Sequence, residues 1–167
     1  MKKVFLTIAV VLFGLTAKAQ SSNDGENSPT QKGKFIIEAN TGSATTGNTG
    51  FYLTSVNGST TFSVGLDGGY FVMDDLALKG GLGYNDANES FVYKVGAEYY
   101  IEGTFPVGVD FTGTSFTGGS ANWLGIQGGY AYFIGDKVSI KPTVRYNIGL
   151  DDQDGVFQGL IGFALYL

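Results

Sequence analysis

Eight charged residues stand inside stretches that alternate apolar and small or polar side chains: Glu38, Asp67, Lys79, Lys94, Glu98, Asp110, Lys141 and Arg145. Carboxylates and amines of these types can act as general acids and bases, as an activated nucleophile, or as ion pairs. The chain has no histidine and no cysteine. That removes histidine-assisted hydrolysis, thiol nucleophiles, disulfides and zinc–thiolate sites. Carboxylate or lysine chemistry around Asp110 and Lys94 stays formally open, but charges set among apolar neighbours are more often structural pairs than catalytic ones. Four acids and four bases balance to zero, so mutual pairing is possible. The expectation is a protein that is not an enzyme, with no cofactor and no metal site.

The elements that carry these charges repeat with a period of two, the signature of strands. In Thr61–Asn85, Phe62, Val64, Leu66, Tyr70 and Val72 share a face, against Ser63, Gly65, Asp67 and Gly69. After a turn at Met73–Asp75, Leu76, Leu78, Leu82 and Tyr84 oppose Lys79, Gly81 and Gly83. The same pattern predicts strands over Lys34–Thr41, Phe91–Ile101, Phe105–Phe111, Trp123–Ile134, Val138–Leu150 and Val156–Leu167. That makes about eight strands, near the length a tilted membrane strand needs. Short turns at Asp74, Glu102 and Gly135 alternate with loops over Gly42–Ser59, Asp86–Ser90, Thr114–Ala121 and Asp151–Gly155. Phe51-Tyr52-Leu53 within the first loop reads as a hairpin extension. No charge falls on the bulky face of any strand. Such a face turned to lipid, closed over a polar interior, is the pattern of an all-β, antiparallel up-and-down transmembrane barrel.

Glycine and aromatic placement sharpen this. Gly65 and Gly69 flank Asp67, and Gly125 and Gly129 flank Gln127. Gly81, Gly96 and Gly108 each stand two residues from an inward charge. An eight-stranded interior is just wide enough for side chains to fill, and alternating long ions with no side chain lets the ions cross it. Tyr70, Tyr99, Phe105 and Tyr132 fall near the short turns, and Tyr84, Phe91, Tyr146 and Phe157 near the loops, as two interfacial girdles would. GLDGGYFVMDDLALKGGLGYN at Gly65 echoes GIQGGYAYFIGDKVSIKPTVRYN at Gly125; duplication and a constraint shared by two hairpins explain the echo equally, and either way its unit is one strand-turn-strand.

The first 19 residues read as a signal peptide: Lys2 and Lys3, an apolar run over Val4–Leu15 too short to span a bilayer, then Ala17-Lys18-Ala19 for cleavage. Residues 20–33 are polar and contain Pro29; they read as a disordered tail. Residues 34–167 form the barrel. The ending Gly162-Phe163-Ala-Leu165-Tyr-Leu167 looks like the C-terminal insertion signal of outer-membrane barrels, departing in its last residue and in having Leu160 where a polar residue is usual. With the strand pattern, the chain from Lys34 onward resembles the small, porin-like outer-membrane β-barrel family of Gram-negative bacteria. The resemblance implies an integral outer-membrane location with both termini periplasmic. It also implies contact with outer-membrane lipid, and barrel-assembly machinery and periplasmic chaperones as partners in transit. A monomer is expected.

The function this favours is a plugged barrel with a structural or surface-interaction role through its extracellular loops. A narrow porin-like channel for small solutes is the alternative; the small strand number argues against an aqueous pore. A soluble lipocalin-like binder would bury the bulky face and expose the ions. The net charge of −5 argues against nucleic acid, which needs clustered cations. Asp151–Gly155 lacks the later glutamate of a calcium loop, Phe163 standing there. Gly80–Gly83 lies in a strand with no helix to follow and cradles no phosphate.

Overall fold

The computed structural model describes residues 28–43, 46–86, 89–150 and 153–167. The expected signal peptide, most of the expected tail, and Asp151 and Asp152 of the acidic loop lie outside them. The strands are β1 (Phe35–Asn40), β2 (Tyr52–Val56), β3 (Ser59–Met73), β4 (Leu76–Asn85), β5 (Ser90–Ile101), β6 (Phe105–Phe116), β7 (Gly119–Gly129), β8 (Tyr132–Gly135), β9 (Val138–Gly149) and β10 (Val156–Tyr166). Every pairing is antiparallel. β1 pairs with β3 (Glu38 opposite Asp67) and with β10 (Ile37 opposite Leu165), which closes the sheet on itself. β1 and β2 are successive along the edge of β3, and β7 and β8 along β9, so the ten segments form eight walls.

The bulky face of each strand points outward. Leu66, Leu78, Leu82, Val95, Ile126, Val144, Phe157 and Phe163 are all exposed, while all eight strand charges are buried. A water-soluble sheet would hide the first set and show the second; a barrel solvated by lipid does the opposite. Rings meet on the outer surface near both rims. Phe35 and Tyr70 lie 5.0 Å apart, and Phe105 and Tyr130 5.1 Å apart, toward the short turns. Phe62 and Tyr84 lie 6.5 Å apart toward the loops.

Four regions differ from the sequence expectation. Thr114–Ala121 is not a loop. Thr114 pairs with Ala121 and Phe116 with Gly119, leaving Thr117-Gly118 as the turn, with Gly118 at φ +96°. Threonine and serine suit strands but carry no apolar alternation, so the period was hidden there. Gly42–Ser59 is two structures. Residues 46–50 lie within the barrel, and β2 then forms a hairpin with β3 through Asn57-Gly58, both at positive φ. Trp123–Ile134 is interrupted after Gly129, although Gly129–Thr143 and Tyr132–Ile140 keep one register. Pro142 sits opposite Tyr130; it accepts from the Tyr130 N–H (3.1 Å) but has no N–H to return. Finally, residues 28–33 are held in place. The Thr30 hydroxyl donates to Asp75, the Lys32 N–H to Asp74 (2.8 Å), and the Gly33 N–H to the Phe71 carbonyl (2.9 Å).

Candidate functional site

The barrel interior is the candidate site, and it is built in three tiers. The middle tier holds all eight charges that the strand period turns inward. Glu38 and Glu98 alternate with Lys79 and Lys141. Each lysine reaches both carboxylates, with Lys141–Glu98 at 2.6 Å and Lys79–Glu98 at 3.3 Å. Gln127 adds an N–H to Glu98 at 2.8 Å. Arg145 forks onto Asp110 through both terminal nitrogens, at 2.5 and 2.6 Å. Its Nε donates to Asn147 Oδ1 (2.7 Å), and its remaining contacts are Gln127 (2.9 Å) and Thr112 (3.3 Å). A bidentate pair with all donors engaged is the geometry in which a dry guanidinium is tolerable. Lys94 closes the set on Asp67 at 2.8 Å.

Cross-strand register explains why this many long side chains fit. Asp67, Lys79, Lys94, Glu98, Asp110 and Lys141 each stand directly opposite a glycine on a neighbouring strand. The sequence showed glycine two places along the same strand; the relation that matters runs across the sheet. A Cβ at Gly81 would push the Asp67 carboxylate aside and one at Gly125 the Arg145 guanidinium, whereas one at Gly96 would overlap the Val109 carbonyl and the Asp110 backbone, which makes glycine obligatory there.

Below the charges, at the short-turn end, lies a tier that the sequence reading missed. Phe71, Tyr100 and Tyr166 are wholly buried, packed with Ile36, Ala77, Ala131 and Ala164, and Phe133 leans on them. Ring centroids are 5.8 Å apart for Phe71–Tyr100 and 6.3 Å for Tyr100–Tyr166. Period two puts these rings inside, but an aromatic side chain on a strand suits either face, so type alone carried no signal. Tyrosine hydroxyls join this tier to the charges. Lys141 Nζ donates to the Tyr100 hydroxyl at 2.8 Å, and the Ser139, Tyr166 and Tyr100 hydroxyls continue the chain at 3.1 and 3.3 Å.

Above the charges, residues 46–50 form the third tier. Asn48 and Thr49 are buried inside the barrel. Lys94 donates to Asn48 Oδ1 at 3.0 Å, and the Thr49 hydroxyl donates to Asp67. From the opposite walls, Asn147 donates to the Thr46 carbonyl (2.5 Å) and Gln158 to the Thr46 hydroxyl (2.5 Å). Two small gaps remain among the charges, about 30 Å³ beside Glu38, Asn48, Lys94 and Lys141 and about 10 Å³ beside Asp67, Glu98 and Asp110, room for about two or three water molecules. Among the described residues no group of three or more metal-ligating side chains converges. The geometry of the interior holds ions against one another.

The residues of the expected insertion signal lie on β10. Gly162 faces inward beside Lys141, while Phe163, Leu165 and Leu167 are exposed on the outer wall. Phe35 and Leu167 exchange backbone hydrogen bonds at 3.1 and 2.9 Å, so the wall closes at the final residue of the chain.

This is the architecture of an outer-membrane-type β-barrel. The solved structures place it more closely. The chain is similar to the N-terminal β-barrel domain of Pseudomonas aeruginosa OprF, with 16% identity and a TM-score of 0.56, over 81% of this chain and 98% of that one. A de novo designed transmembrane β-barrel is 17% identical with a TM-score of 0.49, over 82% of this chain and 98% of the design. The OprF likeness shows a shared fold. No protein-family model matches the chain, and no curated protein does either.

Proposed function

We propose that the chain is an integral outer-membrane protein whose barrel does not conduct, and that it serves as a non-enzymatic scaffold displaying its long-loop end at the cell surface. The observation that carries this is the filled interior. Three successive tiers, of rings, ion pairs and an inturned loop, leave only small gaps of about 30 and 10 Å³ among the charges. Barrels of this strand number are filled by side chains, while aqueous pores use about twice as many strands. Residues 28–35 and Leu167 lie at the short-turn end, which in barrels of this class is periplasmic. Gly162, Phe163, Leu165 and Leu167 would then be read by the assembly machinery, after escort by periplasmic chaperones, and the barrel would stand as a monomer in lipid.

Single-channel recording in planar bilayers tests the reading. The expected record is silent at applied voltages of either sign. Stable, uniform conductance steps would overturn it in favour of a narrow solute channel.

A further inference from the structure

On the outer wall, a row of residues that crosses β7, β9 and β10 is short of side chains. Alternate residues of these strands face outward, and the register lines them up in rows. Ile126, Tyr146 and Phe157 form the row nearer the long loops. Gly128, Val144 and Gly159 form the next. Tyr130, Pro142 and Ile161 follow, joined by the Tyr130 N–H to the Pro142 carbonyl (3.1 Å) and by the pairing of Pro142 with Ile161. Tyr132, Ile140 and Phe163 complete the set toward the short turns. One valine between two glycines thus lies among rows that each carry three side chains.

The result is a dent of about 540 Å³. Its lining includes Thr143 and Leu160, whose side chains face inward, so its floor there is bare backbone. Crowding does not explain the two glycines. A Cβ at Gly159 would meet nothing within 4 Å, and one at Gly128 would meet only Val107 and Pro106, at 3.9 and 4.0 Å. Neither glycine has a positive φ, and no register shift falls at either. Glycine inside a strand weakens it, and where it marks no bulge it can mark a place where another molecule approaches the backbone.

The surroundings identify that molecule. The dent continues the lipid-facing wall inward, between exposed apolar rows in which Phe157, Tyr132 and Phe163 are 72%, 59% and 55% exposed. At its short-turn edge Tyr130 packs on Phe105, ring centroids 5.1 Å apart, within the girdle that bounds the apolar band. Among the described residues that line the dent none is charged, so nothing there selects a headgroup. A methylene chain entering past the girdle meets only apolar groups and backbone.

We propose that this dent seats one acyl chain of a phospholipid from the leaflet on the short-turn side. The chain lies across Gly128 and Gly159 against the bare backbone, and its headgroup stays in the polar layer. The proposal goes beyond, and rests on, the reading of the barrel as an integral membrane protein. A flat wall touches a chain on one side; a dent touches it on several, and such contacts are small singly and large in sum. The seated lipid therefore leaves the barrel more slowly than its neighbours.

The test reconstitutes the whole folded protein into vesicles of dioleoyl phosphatidylcholine, extracts it in mild detergent and counts the retained lipid by native mass spectrometry. The expected spectrum shows one phospholipid on the barrel. Gly128→Leu with Gly159→Leu fills the row and should lower the retained fraction about tenfold, the worth of about two buried methylenes. Val144→Phe fills the same row from the middle strand and should act alike, which keeps the test decisive if the glycine pair fails to insert. Gly68→Leu, on the outer face of β3 with nothing within 4 Å of its Cβ, should leave retention unchanged. So should dioleoyl phosphatidylglycerol in place of the phosphatidylcholine. Bare barrels, undiminished retention by the filled variants, an equal loss in Gly68→Leu, retention that follows the headgroup, or a paired barrel in place of the lipid adduct would overturn the proposal. A chain that stays in solution without detergent would remove the membrane reading as well; an inserted barrel that retains no lipid would remove the seat alone.

Discussion

The charged tier and the aromatic tier fill the same tube by opposite means. Phe71, Tyr100 and Tyr166 exclude water by volume, and their packing tolerates small adjustments. Glu38, Asp67, Lys79, Lys94, Glu98, Asp110, Lys141 and Arg145 exclude it by mutual pairing, with little latitude. A buried ion pair adds little net stability over an apolar replacement, but loss of one partner leaves a dry, uncompensated charge. The comparison teaches that the aromatic tier supplies cohesion, whereas the charged tier makes wrong strand registers expensive. A slip by one residue would send every ion to lipid.

The largest effect expected from breaking this contrast is at Arg145. Arg145→Leu strands Asp110 and should cost about 3–5 kcal/mol, read as a lower urea midpoint for the change in gel mobility that marks the folded barrel. Arg145→Leu with Asp110→Leu should recover most of that loss. If the double variant is as unstable as the single one, the tier contributes cohesion after all and the contrast fails.

Phe71→Ala comes next. It removes the ring that touches both Tyr100 and Tyr166 and should cost about 3 kcal/mol through lost burial and a cavity. Phe71→Leu should cost under about 1.5 kcal/mol, so a graded series is the mark of this tier. Equal losses for leucine and alanine would show that the aromatic tier is as exacting as the charged one.

The smallest expected effect sharpens the boundary between the two. Tyr100→Phe keeps the ring and deletes the hydroxyl that accepts from Lys141. It should cost about 1 kcal/mol and leave the bilayer record silent. A loss matching that of Arg145→Leu would mean that the tiers act as one network.

The strand period was legible because side chains on a regular strand alternate and the two irregularities, at Phe71–Met73 and Phe133–Gly135, fall away from the charges, so each of the eight could be assigned a face from the residues beside it. Their inward direction followed from the bulky face being too continuous to belong anywhere but in lipid. The partners were not legible. Lys141 meets Glu38 and Glu98, which are far away in the chain. That choice depends on register and on the reach of side chains across the tube. The inturn of residues 46–50 was hidden for a related reason. Gly, Ser, Thr and Asn suit an outer loop as well as a plug, and only the waiting donors of Lys94, Asn147 and Gln158 select the plug.

By itself the sequence determined the class of solvent on each face, the number of walls and the sign balance within, because those depend on local alternation and composition. The tertiary structure alone decided which ions meet, and that rings seal one end and a loop the other. Those outcomes turn on distances between residues remote in the chain, which closure of the barrel sets.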